Sequence, residues 1–261
     1  MYSFDFERPT TLDDAVKALG QDEAQALGGG QTLIPSLKQR LAMPSKLVSL
    51  AAIEELKGVT AEGGVLTVGG GTTHGTVAAE ASAYPALAAL ASNIGDPAVR
   101  NRGTVGGSLA NNDPAACYPA AALASGATIV TNTREIAADD YFQGMFTTAL
   151  DEGEIITAVK FPIPEKAAYI KFEQPASRFA LVGVFVAKYS DGVKVAVTGA
   201  SEEGVFRWTE AEEKLSADFS AGAVEGLSLP AEGMMSDLHG SGAYRAHLIG
   251  VLTKRAVAAA G

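Results

Sequence analysis

The apolar positions of the first fifty residues alternate between helical and strand spacing. Thr10 to Asp14 supplies hydroxyl and acidic side chains ahead of Ala15, Val16 and Leu19, which predicts a first helix. Ala24 to Leu27 is a short apolar run that ends at glycine, and the apolar residues after it return to helical spacing at Leu33, Ile34, Leu37 and Leu41. Pro44 then ends the second helix, and Lys46 to Leu50 predicts a strand. A compact βαβ-like lobe follows over about residues 1–55.

The next hundred residues mix short strands with alanine-rich helices. Thr72 is a candidate cap for a helix, and Val77 to Ile94 favours helix with a break at Pro85. A further helix is predicted at Tyr118 to Ser125, and strands are predicted at 65–68, 127–131 and 155–161. Pro162 and Pro164 then mark a domain boundary, so we expect a first domain over residues 1–165 with lobes of about 1–55 and 56–165.

Residues 166–261 predict a second domain. Three strands are indicated, at 169–172, 180–189 and 193–198, with a hairpin turn at Asp191-Gly192. Helical patterns then dominate, at 211–215, 221–227 and 243–259. The fold class is therefore α+β, in which a two-lobed domain precedes a small antiparallel sheet packed by helices.

Composition excludes several classes of protein. The 261 residues carry a net charge of −10, which argues against nucleic acid or an anionic membrane as a main partner. A single cysteine, Cys117, excludes an internal disulfide and a cysteine-ligated iron–sulfur cluster in this chain. The three histidines have no metal-binding spacing, and no apolar stretch approaches a membrane span, so we expect no metal site, no membrane span and a cytoplasmic protein.

Two glycine-rich segments are the candidates for chemistry. Gly28-Gly29-Gly30-Gln31-Thr32 lies between a predicted strand and helix, where free amides bind an anion such as pyrophosphate, with Thr32 as a candidate cap. Gly103 to Pro114 contains Gly106 and Gly107, whose missing side chains permit unusual dihedrals and close approach to a ligand. A tight turn between strands remains the alternative for this second segment. Neither segment has the Walker or the dinucleotide-binding pattern.

The strings Leu-Gly-Gly-Gly-Gln-Thr-Leu-Ile-Pro (27–35) and Gly-Thr-Val-Gly-Gly-Ser-Leu-Ala-Asn-Asn-Asp-Pro (103–114) resemble the FAD-pyrophosphate loops of one family. This family is the medium, FAD-binding subunit of molybdenum-containing carbon monoxide dehydrogenase and xanthine dehydrogenase, with a PCMH-type FAD-binding domain. The resemblance extends through 141–144, 147–150, 153–156 and 169–186 to Tyr244-Arg245. It implies an FAD-dependent oxidoreductase subunit that passes electrons from a [2Fe-2S] small subunit to an external acceptor. A molybdopterin large subunit would oxidise the substrate, in a heterohexamer-type assembly.

The resemblance also implies which residues bind FAD. The first segment and Thr104 to Ser108 would lie along the pyrophosphate and ribityl chain, and the remaining contacts would lie near the flavin. The implied cofactor-binding residues are Gly28, Gly29, Gly30, Gln31, Thr32, Leu33, Thr104, Gly106, Gly107, Ser108, Asn111, Asp113, Leu150, Lys171 and Phe179. Cys117 and Arg178 depart from the family pattern, which usually has Asp at both positions.

No nucleophile elbow, metalloprotease motif or suggestive carboxylate pair occurs, so no catalytic residue is predicted in this chain. Two alternatives stay open. A stand-alone PCMH-type flavin oxidoreductase, similar to UDP-N-acetylmuramate dehydrogenase, would need substrate residues here. A flavin-free interaction protein would have degraded glycine segments, whereas both are intact.

Overall fold

The computed structural model describes all residues, 1–261. Its first lobe is a three-stranded parallel sheet with two helices, and the sheet order is β1-β3-β2. The elements are β1 (Asp5–Glu7), α1 (Leu12–Leu19), β2 (Ala24–Leu27), α2 (Leu33–Lys38) and β3 (Lys46–Ser49). The predicted βαβ-like lobe is confirmed, with β1 as an additional strand.

Local chemistry sets the limits of the two helices of this lobe. The hydroxyl of Thr11 accepts a hydrogen bond from the amide of Asp14 and caps α1, as the sequence pattern predicts. The prediction that α2 continues to Pro44 is wrong. The chain takes a left-handed conformation at Arg40, with φ of 62°, and Leu41 is 76% exposed, so the apolar spacing does not extend the helix.

The second lobe is built on a five-stranded antiparallel sheet of order β4-β5-β10-β6-β7. A 3-10 turn at Glu54–Leu56 leads into it. The elements are β4 (Val59–Glu62), β5 (Val65–Gly69), α3 (His74–Glu80), α4 (Pro85–Ser92), α5 (Pro97–Arg100), α6 (Val105–Asn111), α7 (Tyr118–Ser125), β6 (Thr128–Thr131), β7 (Glu135–Ala137), α8 (Ala138–Tyr141), β8 (Phe142–Gly144), β9 (Thr147–Thr148) and β10 (Ile156–Pro162).

The alanine-rich helices form the centre of this lobe. All eight residues of α7 are buried, because small side chains let the helix pack closely on every side. The predicted break at Pro85 is confirmed, since α4 begins there. Thr73, not Thr72, caps α3 by accepting from the amide of Thr76. Thr72 bonds instead through its hydroxyl to both backbone groups of Gly58.

The third unit is a four-stranded antiparallel sheet, β11-β12-β13-β14, followed by helices. Its elements are β11 (Lys166–Glu173), β12 (Ala180–Tyr189), β13 (Gly192–Ser201), β14 (Gly204–Arg207), α9 (Thr209–Ala217) and α10 (Gly242–Ala260). The hairpin predicted at Asp191-Gly192 is confirmed, and β14 was not predicted. The helix predicted at 221–227 is a 3-10 turn at Ala221–Val224.

This last sheet lies between two apolar layers. One face packs under α9 and α10 in a buried cluster that includes Val184, Val195 and Ile249. The other face contributes Tyr169 and Phe185 to the largest buried cluster, which otherwise belongs to the second lobe. The α+β class is confirmed, and residues on both sides of Pro164 share one core. None of the helices combines the length and the apolar character that a membrane-spanning segment requires.

Candidate functional site

The two glycine segments touch each other. A Cβ on Gly29 would collide with the carbonyl oxygen of Arg102 and lie 2.5 Å from the Cα of Gly103. A Cβ on Gly28 would lie 2.9 Å from the hydroxyl oxygen of Thr104. Only glycine at position 29 allows this backbone contact, so the first lobe meets the second at the two segments.

The first segment offers a run of free backbone donors. None of the amide N–H groups from Gly28 to Leu33 has a hydrogen-bond acceptor in the chain. Gly30 has a φ of 70°, which turns the backbone between β2 and α2. The side chain of Thr32 makes no capping bond, so the predicted cap is wrong and the amides stay available. A concave run of unpaired amides is a binding site for an anion such as a phosphate.

The second segment differs from the prediction, because most of it is helix α6. Thr104 caps this helix by accepting from the amide of Gly107 at 3.1 Å. The amides of Val105 and Gly106 donate to the carbonyl oxygens of Thr72 and Gly70. The donors of the first turn of α6 are therefore already used within the protein.

The unusual dihedrals predicted for Gly106 and Gly107 are wrong, since both residues are helical. Gly106 is needed for packing, because a Cβ there would lie 2.7 Å from the carbonyl oxygen of Gly70. Gly107 is exposed, and a Cβ there would meet only the hydroxyl of Thr104, at 2.9 Å. An added side chain therefore meets the protein backbone at Gly106 but not at Gly107.

A cleft of about 1580 Å³ runs past both segments, and residues of all three units line it. It is larger than the usual range for small-molecule pockets, roughly 300–1,000 Å³, as an extended ligand requires. The predicted site residues that line it are Gly28, Gly29, Gly30, Gln31, Thr32, Leu33, Thr104, Gly106, Gly107, Ser108, Asn111, Asp113, Lys171 and Phe179. Leu150 is not among the lining residues and packs against the core of the second lobe.

Residues from the third unit form one end of the cleft. Lys171 is 3% exposed in its side chain, and its ammonium group donates to the carbonyl oxygens of Asn93 and Arg178. Phe179 packs edge-on against the ring of His239, with 5.2 Å between ring centroids. The two hydrogen bonds of Lys171 therefore link the second lobe to the loop that contains Phe179.

Positive charge is concentrated in the cleft although the chain is acidic. Five basic residues and three acidic residues line it, a local net charge of +2 against −10 for the chain. The basic residues are Arg8, Lys57, Arg102, Lys171 and Arg178. Arg100 instead donates to the carbonyl oxygens of Ile94 and Gly95. The cleft thus suits an anionic ligand.

Cys117 and Arg178, the two departures from the family pattern, both line this cleft. Burial raises the pKa of the Cys117 thiol, so at neutral pH it supplies no negative charge beside Lys171, whose nitrogen lies 4.0 Å from the sulfur. Ser177 and Arg178 both have left-handed dihedrals, with φ of 63° and 58°, in the exposed loop before Phe179.

Both the sequence and the fold match known proteins. Residues 2–164 match the model of the FAD binding domain in molybdopterin dehydrogenase. The chain belongs to this family. It is 33% identical to the carbon monoxide dehydrogenase medium chain of Afipia carboxidovorans, over 98% of this chain and 96% of that protein. It is 34% identical to the nicotine 6-hydroxylase medium subunit of Paenarthrobacter nicotinovorans, with the same shares covered.

The fold is shared with solved structures of the family. The reconstituted CO dehydrogenase from Oligotropha carboxidovorans superposes with a TM-score of 0.89 at 31% identity, over 99% of this chain and 98% of that chain. The predicted family and fold are confirmed, and the protein is an FAD-binding oxidoreductase subunit of the molybdopterin dehydrogenase type. The free amides, the open face at Gly107 and the basic lining fit FAD, whose pyrophosphate carries two negative charges.

Sequence reasoning missed a third segment that lines the cleft, Gly70 to Thr76. It follows β5 and leads into α3, and it repeats the strand, glycine and helix order of the first segment. Three consecutive glycines, Gly69 to Gly71, were the available signal. This segment contains His74, which is 5% exposed.

Proposed function

We propose that this chain carries FAD as the electron-transfer subunit of a molybdenum hydroxylase complex. It takes electrons from a [2Fe-2S] small subunit and passes them to an external acceptor, while a molybdopterin large subunit oxidises the substrate. Bound FAD supplies the redox chemistry, since it exchanges electrons with both one- and two-electron partners. The observation that carries the proposal is the basic cleft beside the free amides of residues 28–33.

The chain's own residues bind and orient the cofactor. We assign the pyrophosphate to the amides of the first segment, and the ribityl chain to the side near Thr104, Gly107 and Ser108. The flavin then reaches the end of the cleft where Asn111, Asp113, Lys171 and Phe179 lie. Leu150 has no part in this assignment, because it packs against the core of the second lobe and does not line the cleft.

Relatives with this architecture are named as medium chains or subunits of different dehydrogenases and hydroxylases, which supports a partner-dependent function. We propose a heterohexamer-type assembly with the small and large subunits. We also retain the division into residues 1–165, which would bind FAD, and 166–261, which would complete the flavin end of the cleft.

Stopped-flow absorbance tests the proposal. Substrates of the candidate partner complexes, added to the FAD-loaded chain alone, should leave the flavin absorbance unchanged. Addition of the small and large subunits should restore rapid bleaching, and an artificial acceptor should then recolour the flavin. Bleaching of the isolated chain at the rate of the assembled complex would instead support a stand-alone flavin oxidoreductase.

A further inference from the structure

The segment that leads into α3 lies directly against the second glycine segment. The amide of His74 donates to the carbonyl oxygen of Gly103 at 2.9 Å, and the amide of Val105 donates back to Thr72 at 3.1 Å. A β-bridge pairs Thr73 with Thr104 between these two bonds. The position of His74 relative to the cleft is therefore fixed by backbone bonds.

The imidazole ring of His74 is held on two sides. Its Nε2 edge faces Gly103, where a Cβ would lie 2.6 Å from Nε2, so glycine at 103 makes room for the ring. The ring of Tyr118 lies on another side, tilted by 43° with centroids 5.3 Å apart. The side chain is buried and still lines the cleft. These contacts hold the imidazole ring in one orientation, unlike the ring of a mobile histidine on the surface.

Burial also fixes the protonation state of the ring. Removal from water lowers the pKa of His74 to about 4, so the imidazole is neutral at neutral pH. Nδ1 is fully enclosed and has no hydrogen-bond partner. An enclosed N–H without an acceptor is rarer in proteins than an under-used acceptor, so the proton belongs on Nε2. The ring therefore presents an N–H on its Nε2 edge.

We propose that His74 is a cofactor-binding residue whose Nε2–H group donates a hydrogen bond to an oxygen of the FAD pyrophosphate. His74 and the residues with free amides line the same cleft, and Gly103 lies next to both His74 and Gly29. This donor adds to phosphate binding without burying a second charge. The inference rests on the proposed placement of the pyrophosphate in the first segment.

Replacing His74 with glutamine or with asparagine distinguishes the roles of its two ring nitrogens. In His74→Gln the side-chain nitrogen reaches the depth of Nε2, whereas in His74→Asn it reaches only the depth of Nδ1. Affinities of the full chain are measured by calorimetry for FAD, for ADP, which has the pyrophosphate without the flavin, and for riboflavin, which lacks the pyrophosphate. Tyr118→Phe is the matched control, because its enclosed hydroxyl has no partner.

His74→Asn should raise the dissociation constants of FAD and ADP about tenfold or more, as expected for loss of a hydrogen bond to a charged group. Binding of riboflavin should not change, and His74→Gln should stay within about threefold of the wild type. Tyr118→Phe should bind FAD as the wild type does.

Unchanged ADP affinity in His74→Asn would overturn the inference. Equal losses in both variants, in step with a lower melting temperature of the unliganded chain, would assign His74 a structural role and also overturn it. A wild-type chain that binds neither FAD nor ADP would instead count against the proposed FAD site itself. The two failures are therefore distinguishable.

Discussion

Neighbouring glycines in α6 have different roles, and substitution separates them. Gly107→Val adds a branched side chain at a residue that lines the cleft, so the dissociation constant of FAD should rise by about tenfold. Gly106→Val forces a branched side chain against the backbone of Gly70, which should lower the free energy of unfolding by about 2 kcal/mol. Calorimetric binding and urea denaturation measure the two effects.

The matched control is Gly107→Ala, whose single methyl meets only the hydroxyl of Thr104. Its FAD affinity should lie between those of the wild type and the valine variant. Wild-type affinity in Gly107→Val would contradict the placement of FAD along this face of α6.

As the pH falls, protonation of His74 should lower the stability of the protein at pH values above those at which most carboxylates are protonated. Its pKa is about 4 when folded and about 6.5 when unfolded, so the unfolded chain binds the additional proton between these pH values. The free energy of unfolding should therefore fall by about 3 kcal/mol from pH 6.5 to pH 4 on account of this ring, with no such contribution above pH 6.5. Urea denaturation at several pH values measures it.

The comparison variant is His74→Gln, which has no proton to gain. Its stability should vary less between pH 6.5 and pH 4 than that of the wild type. Identical pH profiles for the two proteins would contradict a buried neutral histidine.

The sequence predicted both glycine segments but could not identify which amides are free. At Gly28 to Leu33 no acceptor reaches the backbone, whereas at Val105 and Gly106 the acceptors come from Thr72 and Gly70. Those acceptors are about thirty residues distant in sequence, so no local pattern contains them. The sequence did not indicate a binding role for His74, because that role depends on the same backbone pairing between the two segments.

Among the elements, α10 packs on its sheet through apolar side chains and also bonds to it through one buried cation, Arg245. Arg245 is 2% exposed and donates to the carbonyl oxygens of Leu181 and Gly199, and it forms two 2.8 Å bonds to the carboxylate of Asp237. Arg245→Met should lower the free energy of unfolding by about 3 kcal/mol, because these buried acceptors lose their donor. Urea denaturation at neutral pH measures the loss.

Arg255 provides the matched control, since it lies on the same helix and is exposed. Arg255→Met should change the stability by less than about 0.5 kcal/mol. Equal effects of the two substitutions would show that Arg245 acts only through its charge on α10.

Element prediction succeeded where local chemistry decides the limits. The bounds predicted for α7 match because Pro119 favours a helix start and Gly126, with φ of 55°, ends it. The prediction failed for α2, where the turn at Arg40 leaves Leu41 outside the helix. It also missed β14, a four-residue strand whose pairing with β13 is a tertiary interaction.

At the scale of the whole molecule, the proposed domains should unfold together. The ring of Tyr84 packs nearly perpendicular to the ring of Phe185 of β12, with centroids 6.1 Å apart, so the first 165 residues depend on the following sheet for part of their core. Calorimetry of the full chain should show one transition. A fragment of residues 1–165 should melt at lower temperature or aggregate, because it exposes that apolar face.

Binding of FAD to the fragment is the control for misfolding during preparation, since a misfolded fragment should not bind it. Two separate transitions in the full chain, one of them matching the fragment, would contradict a shared core and favour two independently folded domains.

The unequal use of amides in the two glycine segments has a consequence for hydrogen–deuterium exchange. Without cofactor, the backbone protons of residues 28–33 should exchange rapidly, whereas those of Val105, Gly106 and Gly107 should be slow. Saturation with FAD should slow the first group strongly and the second group little. Exchange in peptides covering these residues therefore reports loading of the cofactor directly, even in a complex whose other redox centres obscure the flavin spectrum.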